Sequence, residues 1–328
     1  MNSKNMKKMI GQNSIWLVLL AMCAVLTIST RTFLTAQNFM NILTTESIIG
    51  IIAVGVMWCI LSKGIDLSPG SVVALTSCIS ASLAQQYAYG ASRLFPNLPD
   101  LPVVVAVLAA LAAGTLIGLI NGLLIAYTKI PAFIATLGTQ LIARALAQLY
   151  TNAYPIPELK PEFKSIAQYN LFGAIPMVVV IFIVFAAVSG YMLTQTRFGS
   201  SIYAIGGNDQ AARVAGINVE KNLIKVYTWC AFCAATGGIL LAARSGAGNS
   251  SVGLNYELDA IAAATVGGTS HTGGVCRISG VIAGILILGV LKNGMMLLKI
   301  SPYLQQVFKG MIIIAAVVFD MRKNAKKN

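Results

Sequence analysis

Apolar runs of about 20 residues recur along the whole chain. That is the length a helix needs to cross about 30 Å of hydrocarbon at 1.5 Å per residue. Backbone inside lipid has to satisfy its own hydrogen bonds, so such runs fold as helices that pack on one another. The pattern predicts ten spans: 15–30, 42–61, 71–87, 101–126, 132–151, 175–195, 223–243, 258–268, 280–298 and 304–319, of which the eighth is short. The expected fold is an all-α polytopic membrane protein of about ten transmembrane helices (eight to ten), some broken or re-entrant, in a single domain over residues 1–328. Only 10% of the residues are charged, against about 25% in a soluble domain, which excludes a soluble globular chain.

The net charge of +13 would point to nucleic acid in a soluble protein. Here the cations gather at span ends, with no basic patch interleaved with aromatics, so lipid is the expected partner and nucleic acid is not. With the N-terminus placed in the cytoplasm, thirteen Lys and Arg fall in inside segments and six in outside ones. Lys225, Arg144, Lys292 and Lys309, within spans, are left aside. The bias predicts that both termini are cytoplasmic. The apolar run after Lys4, Lys7 and Lys8 is too long for a signal peptide and lacks a clear small-x-small cleavage site, so it reads as an uncleaved first span.

Two stretches interrupt the helical pattern at or near membrane depth. In Ser62–Ser71 (SKGIDLSPGS), Gly64, Pro69 and Gly70 break a helix and Asp66 adds a charge. In Gly267–Gly274 (GGTSHTGG), glycines and hydroxyls follow a short apolar run. Irregular backbone at that depth must be buried in protein or line a water-filled cavity. Ser68, Asn121, Thr269 and Ser270 are the hydroxyl and amide candidates for a translocation path, with Glu46, Asp66 and Glu257 as its acids. The ionisable residues in or beside spans (Glu46, Arg144, Glu257, Asp259, Lys292) either line a hydrated path, pair with each other or sit at interfacial depth. The acids before each interruption hint at an internal repeat. Gly114, Gly118 and Gly122 recur at intervals of four and mark a face for close helix contact.

Five of the six cysteines lie in apolar runs and read as small packing residues. Cys230 and Cys233 form a C-x-x-C inside a span without further ligands nearby, and His271 is the only histidine. No metal site or cofactor is therefore expected. No phosphate-binding loop, nucleophile elbow, zinc-helix motif or dinucleotide fingerprint occurs; the chain is expected to carry no enzymatic site.

The polar stretch 196–222 stands apart. Asn208 can cap a helix, Asp209 suits its first turn, Arg213 its last, and Gly216 a left-handed stop. The helix between them would have roughly seven residues, about 10 Å. A helix that short is marginal alone in water, and its small apolar face (Ala211, Ala212, Val214, Ala215) suggests docking into a partner. The alternative is an ordinary solvated loop. Asn152–Ala174, the longest outside segment, reads either as a connector or as a surface for an extracytoplasmic protein.

Five motifs resemble one family. They are SKGIDLSPGSVVAL (62–75), GLINGLLIAYTKIPAFIATLGT (118–139), YAIGGNDQAARVAGINV (203–219), YELDAIAAATVGGTSHTGG (256–274) and KGMIIIAAVVFD (309–320). The chain is similar to permease subunits of bacterial ABC importers for monosaccharides, the ribose/xylose/arabinose/galactoside group. It departs from the usual pattern at Lys63, Pro69 and Gly274–Cys276. The resemblance implies a subunit in the bacterial cytoplasmic (inner) membrane. Its expected partners are a second permease copy, ATP-binding subunits that carry out the hydrolysis, and an extracytoplasmic sugar-binding protein. It also implies that 196–222 is the coupling element, with Gly206, Gly207, Asn208, Ala211, Ala212, Arg213 and Gly216 meeting the ATPase. The alternatives are an ABC permease for another small solute, such as an amino acid or nucleoside, and an ion-coupled secondary transporter using Glu46 and Glu257.

Overall fold

The computed structural model describes residues 3–325, with side chains over 15–322 except Phe319. The chain order is α1 (Ser3–Ser29), α2 (Ala36–Leu61), α3 (Pro69–Leu83), α4 (Val103–Leu123, continuing as a π turn Leu124–Thr128) and α5 (Ala132–Thr151). There follow α6 (Pro161–Gln168), a two-stranded hairpin of β1 (Asn170–Leu171) and β2 (Ile175–Pro176), α7 (Met177–Gln195), α8 (Arg197–Gly207) and α9 (Asp209–Val214). The chain ends with α10 (Val219–Ser245), α11 (Tyr256–Val266), α12 (Ile278–Leu297) and α13 (Pro302–Ala325). Among the described residues seven helices are long and apolar enough to cross a membrane: α2, α4 with its π turn, α5, α7, α10, α12 and α13. The shorter apolar helices are Ile15–Ser29 and Pro69–Leu83, and α11 has eleven residues.

The centre is α10, packed against α2, α3 and α4. Gly114, Gly118 and Gly122 supply the α4 side of this contact. A Cβ on Gly118 would stand 3.0 Å from the Thr228 backbone, and one on Gly122 2.7 Å from the Ile224 backbone. Small residues are what let two backbones come this close. The four-residue spacing thus marks a contact face, as the sequence predicts.

The apolar helices sort by position. Ile48–Leu61 of α2 is almost wholly enclosed, whereas α4, α5 and α7 leave rows of Leu, Val and Ile on the outer surface. A helix that is hydrophobic all round can face either protein or lipid, and these take both roles. Helix α1 packs against α12 through a smaller cluster that includes Leu19, Leu26, Ile287 and Val290. Helix α13 rests mainly on α11, where Lys309 pairs with Asp259.

The segment after α5 is a packed cap. Ile156 exchanges backbone hydrogen bonds with Gly248, and Lys160 donates to Leu101 O and pairs with Asp100. Phe163 and Ala167 on the inner face of α6 are buried. Tyr154 and Phe172 remain largely exposed.

Candidate functional site: two half-length helices joined to a capped loop

Two half-length helices start side by side, deep in the bundle. After α2 ends at Leu61, residues 62–68 turn back without helical structure and α3 begins at Pro69. A proline in the first turn gives up an N–H that has no helical partner anyway. Depth is set by α4, whose middle residue Gly114 faces Val72 and Thr76 of α3. The second interruption differs from the expectation. The re-entry lies in 246–255, before α11, whereas Gly267–Gly274 forms a tight loop after it. Gly246 and Gly253 have φ of 72° and 71°, and Asn255, just before α11, has φ of 64°. These left-handed conformations turn the chain inward. Residues 246–255 run down along α3, with Gly248 against Ser77 and Ala81, and Gly253 against Gly70 and Val73. The two half-helices then point in opposite directions.

Helix α5 ties both starts together with one face. Thr136 accepts from Leu67 N (3.1 Å) and bonds to Ile65 O (3.2 Å). Thr139 donates to Asn121 Oδ1 (2.8 Å), Asn121 Nδ2 donates to Ser68 Oγ (3.0 Å), and Ser68 Oγ donates to Asp66 Oδ1 (2.7 Å). One turn further on, Gln140 Nε2 donates to Glu257 Oε1 (3.3 Å). A turn beyond that, Arg144 donates to the carbonyls of Ser250 (2.7 Å), Val252 (2.6 Å) and Gly70 (3.1 Å). Arg144 therefore ties the first turn of α3 to the 246–255 re-entry, whose Ser250 and Val252 carbonyls lie outside any helix. Arginine's planar fork of five donors suits three acceptors at once.

The acids and hydroxyls named from sequence occupy three places. Asp66, Ser68 and Asn121 are fully buried in the α3 network and Glu257 lies against Gly70. Glu46 instead faces a cavity of about 210 Å³ between α2, α11, α12 and α13, lined also by Asp259, Lys292, Lys309, Gln305 and Gln306. Thr269 and Ser270 are buried in the loop after α11. There Asp320 Oδ2 on α13 accepts from Ser270 Oγ and His271 N, both at 3.0 Å. His271 Nε2 lies 2.7 Å from Thr265 Oγ1, and burial pushes its pKa down.

The capped loop meets the start of the first interruption and the loop after α11. Helix α9 is capped by Asn208, whose Oδ1 accepts from Ala211 N (3.0 Å). It stops at Gly216, with φ of 82°, where Gly216 N donates to Arg213 O (2.9 Å) and Ile217 N to Ala212 O (3.0 Å). Arg213 pairs with Glu220 at the start of α10. Helix α8 was not anticipated. Its signal was present in Thr196, which caps it by accepting from Gly199 N (3.2 Å), and in the spacing of Phe198, Ile202 and Ile205. Phe198 stacks on Trp58 of α2 with centroids 5.1 Å apart. At the far end of α8, a Cβ on Gly206 would lie well inside 3.0 Å of Leu61 O and 2.5 Å from Gly274 N. Gly274 N itself donates to Leu61 O (3.0 Å), Lys63 Nζ donates to Gly207 O (3.1 Å), and Tyr203 Oη donates to Cys276 O (2.7 Å). Ala212 is buried, whereas Asn208, Ala211 and Gly216 remain on the surface.

This architecture consists of broken helices held by a polar network and fastened to a short capped helix at one end. Residues 38–317 match the family model described as "Branched-chain amino acid transport system / permease component". The chain belongs to this family. This permease is 40% identical over 326 residues to the galactose/methyl galactoside import permease protein of Haemophilus influenzae, covering 97% of this chain and 96% of that one. It is 39% identical over 312 residues to the ribose import permease protein of Escherichia coli (94% and 92% covered), and 35% identical over 315 residues to that of Bacillus subtilis (94% and 92%). No solved structure matches it. The permease is a multi-pass membrane protein.

Proposed function

We propose that this chain is the membrane permease of an ATP-binding cassette importer for a monosaccharide, in the bacterial cytoplasmic membrane with both termini inside. The observation that carries the reading is likeness to galactoside and ribose import permeases over nearly the whole chain. The sugar relatives, matched from end to end, favour a sugar over the amino acids of the family description.

In this reading the chain works with a second permease copy. ATP-binding subunits dock at residues 196–222 through the exposed Gly207, Asn208, Ala211, Arg213 and Gly216, whereas Gly206 and Ala212, also named from the family likeness, are buried and hold this loop to the rest of the chain. An extracytoplasmic binding protein delivers the sugar, with Tyr154 and Phe172 on the exposed side of the outer cap. Nucleotide binding closes the ATPases and moves α9, seated as a knob in a groove. Helix α8 passes that motion to Leu61, where the first connector begins, and to Gly274 in the loop after α11. Asp66, Ser68 and Asn121 hold the first half-helix in place, Thr269 and Ser270 hold the second connector, and Glu46 and Glu257 supply polar groups nearer the path. The chain itself hydrolyses nothing.

The test is uptake by vesicles holding the chain with its ATPase and binding protein, offered a panel of labelled monosaccharides, amino acids and nucleosides. Sugar uptake that requires ATP and the binding protein is expected. Uptake that survives ATP depletion but collapses with an uncoupler would instead assign an ion-coupled carrier.

A further inference from the structure

Three donor-bearing side chains distant in sequence meet beside the first interruption. Cys59 lies in the last turn of α2, Cys230 near the middle of α10 and Asp66 on the connector between α2 and α3. Their ligand atoms all lie within 4.8 Å of one another, and all three residues are fully buried. Gly55, one turn before Cys59, makes the meeting possible: a Cβ there would stand 3.0 Å from Cys230 Cα. The two carboxylate oxygens of Asp66 differ. Oδ1 accepts from Ser68 N (2.9 Å) and Ser68 Oγ (2.7 Å), whereas buried Oδ2 has no hydrogen bond of ordinary geometry and only the weak thiol donor of Cys230 beside it. A buried carboxylate oxygen satisfied by no more than a thiol is costly.

We propose that Cys59, Asp66 and Cys230 form a buried binding site for one zinc-class divalent cation, which staples α2 and α10 to the connector that starts α3. Two sulfurs and one oxygen suit a borderline-soft ion and disfavour magnesium and calcium, which require oxygen ligands. Tetrahedral zinc with Zn–S bonds of about 2.3 Å spaces two sulfurs about 3.8 Å apart, so the donors need only a small inward movement. The exchange balances: two S–H bonds break, two S–metal bonds and one bond to an Asp66 oxygen form, the hydrated ion keeps one water as its fourth ligand and releases the rest, and two protons leave for solvent. No electrons move. The cluster carries one negative charge before (carboxylate, two thiols) and after (three anions, one dication), so binding adds no net charge to a buried place. The C-x-x-C pattern is a poor guide to this site, because Cys233 packs against Gly55 and is not one of the three donors.

The experiment uses the full chain, purified in detergent without metal-affinity chromatography and titrated anaerobically with cobalt(II), then zinc. The expected result is a thiolate-to-cobalt charge-transfer band with tetrahedral visible bands, saturating near one equivalent and abolished by zinc. Cys59→Ser and Cys230→Ser lose the band and Cys233→Ser keeps it. Asp66→Asn weakens binding by about tenfold or more. The proposal is overturned if the wild type gives no thiolate band at saturating cobalt, if the band survives the Cys59→Ser/Cys230→Ser double variant, or if the chain takes up copper(I) but no zinc. Should the serine variants aggregate, the wild-type and Cys233→Ser titrations decide alone.

Discussion

The sharpest prediction concerns two adjacent glycines at the end of α8. Gly206→Ala places a methyl closer than 3.0 Å to Leu61 O and 2.5 Å from Gly274 N. Both neighbours are backbone atoms, so no side chain can swing away. Ordinary contact requires separation by close to 1 Å or more, which breaks the Gly274 N to Leu61 O bond now at 3.0 Å. Overpacking of this kind costs about 1–3 kcal/mol, and a buried donor left unpaired adds about 1–3 kcal/mol. The total is about 2–6 kcal/mol if the joint stays closed; otherwise α8 detaches from the connectors. Gly207→Ala is the matched control. Nothing lies within 4 Å of its Cβ position, and alanine in a helix is favoured over glycine by up to about 1 kcal/mol. The measurements are thermal unfolding in detergent and sugar-stimulated ATPase activity in the reconstituted importer. Gly206→Ala should melt earlier or lose stimulation, while Gly207→Ala should melt no earlier than wild type. Equal behaviour of the two variants would refute the joint between α8 and the connectors.

Arg213→Glu breaks a partly exposed ion pair with Glu220, so its effect on melting should stay below about 1 kcal/mol; the same variant should abolish ATP-driven uptake, and normal uptake would remove α9 from the coupling role. Arg144→Met strips the donor from the carbonyls of Gly70, Ser250 and Val252, a loss of at least about 2 kcal/mol that should appear as poor yield or an early melt, with Leu141→Met on the exposed face as a silent control. His271 is held neutral by burial, its pKa below the usual value despite Asp320. A base with a depressed folded pKa binds protons more readily when unfolded, so stability is intact above the ordinary histidine range and declines as pH falls through it. His271→Gln should flatten that decline in a melting-temperature profile against pH, and an unchanged profile counts against it.

Length and periodicity made the membrane class, the capped turn from Asn208 to Gly216 and the α4–α10 glycine face readable, because each depends on neighbours within one or two turns. What escaped depends on distance. AGNSSVGLN (247–255) reads as an ordinary polar connector, and only its packing along α3 reveals a re-entry. GGTSHTGG looked like the break because it is rich in glycine, yet its glycines serve a tight loop against Gly206. Arg144 reads only as an ionisable residue in or beside a span, since its three carbonyl partners, in the first turn of α3 and in 246–255, are over 70 and 100 residues away. Asp320, near the end of the chain, gave no sign that it would hold the Ser270–His271 backbone.

Because one face of α5 grips both interruptions, the middle of the bundle has no slack. If α8 carries the proposed coupling, a push at Leu61 enters a connector that α5 already ties to the second re-entry, so the two half-helices shift together.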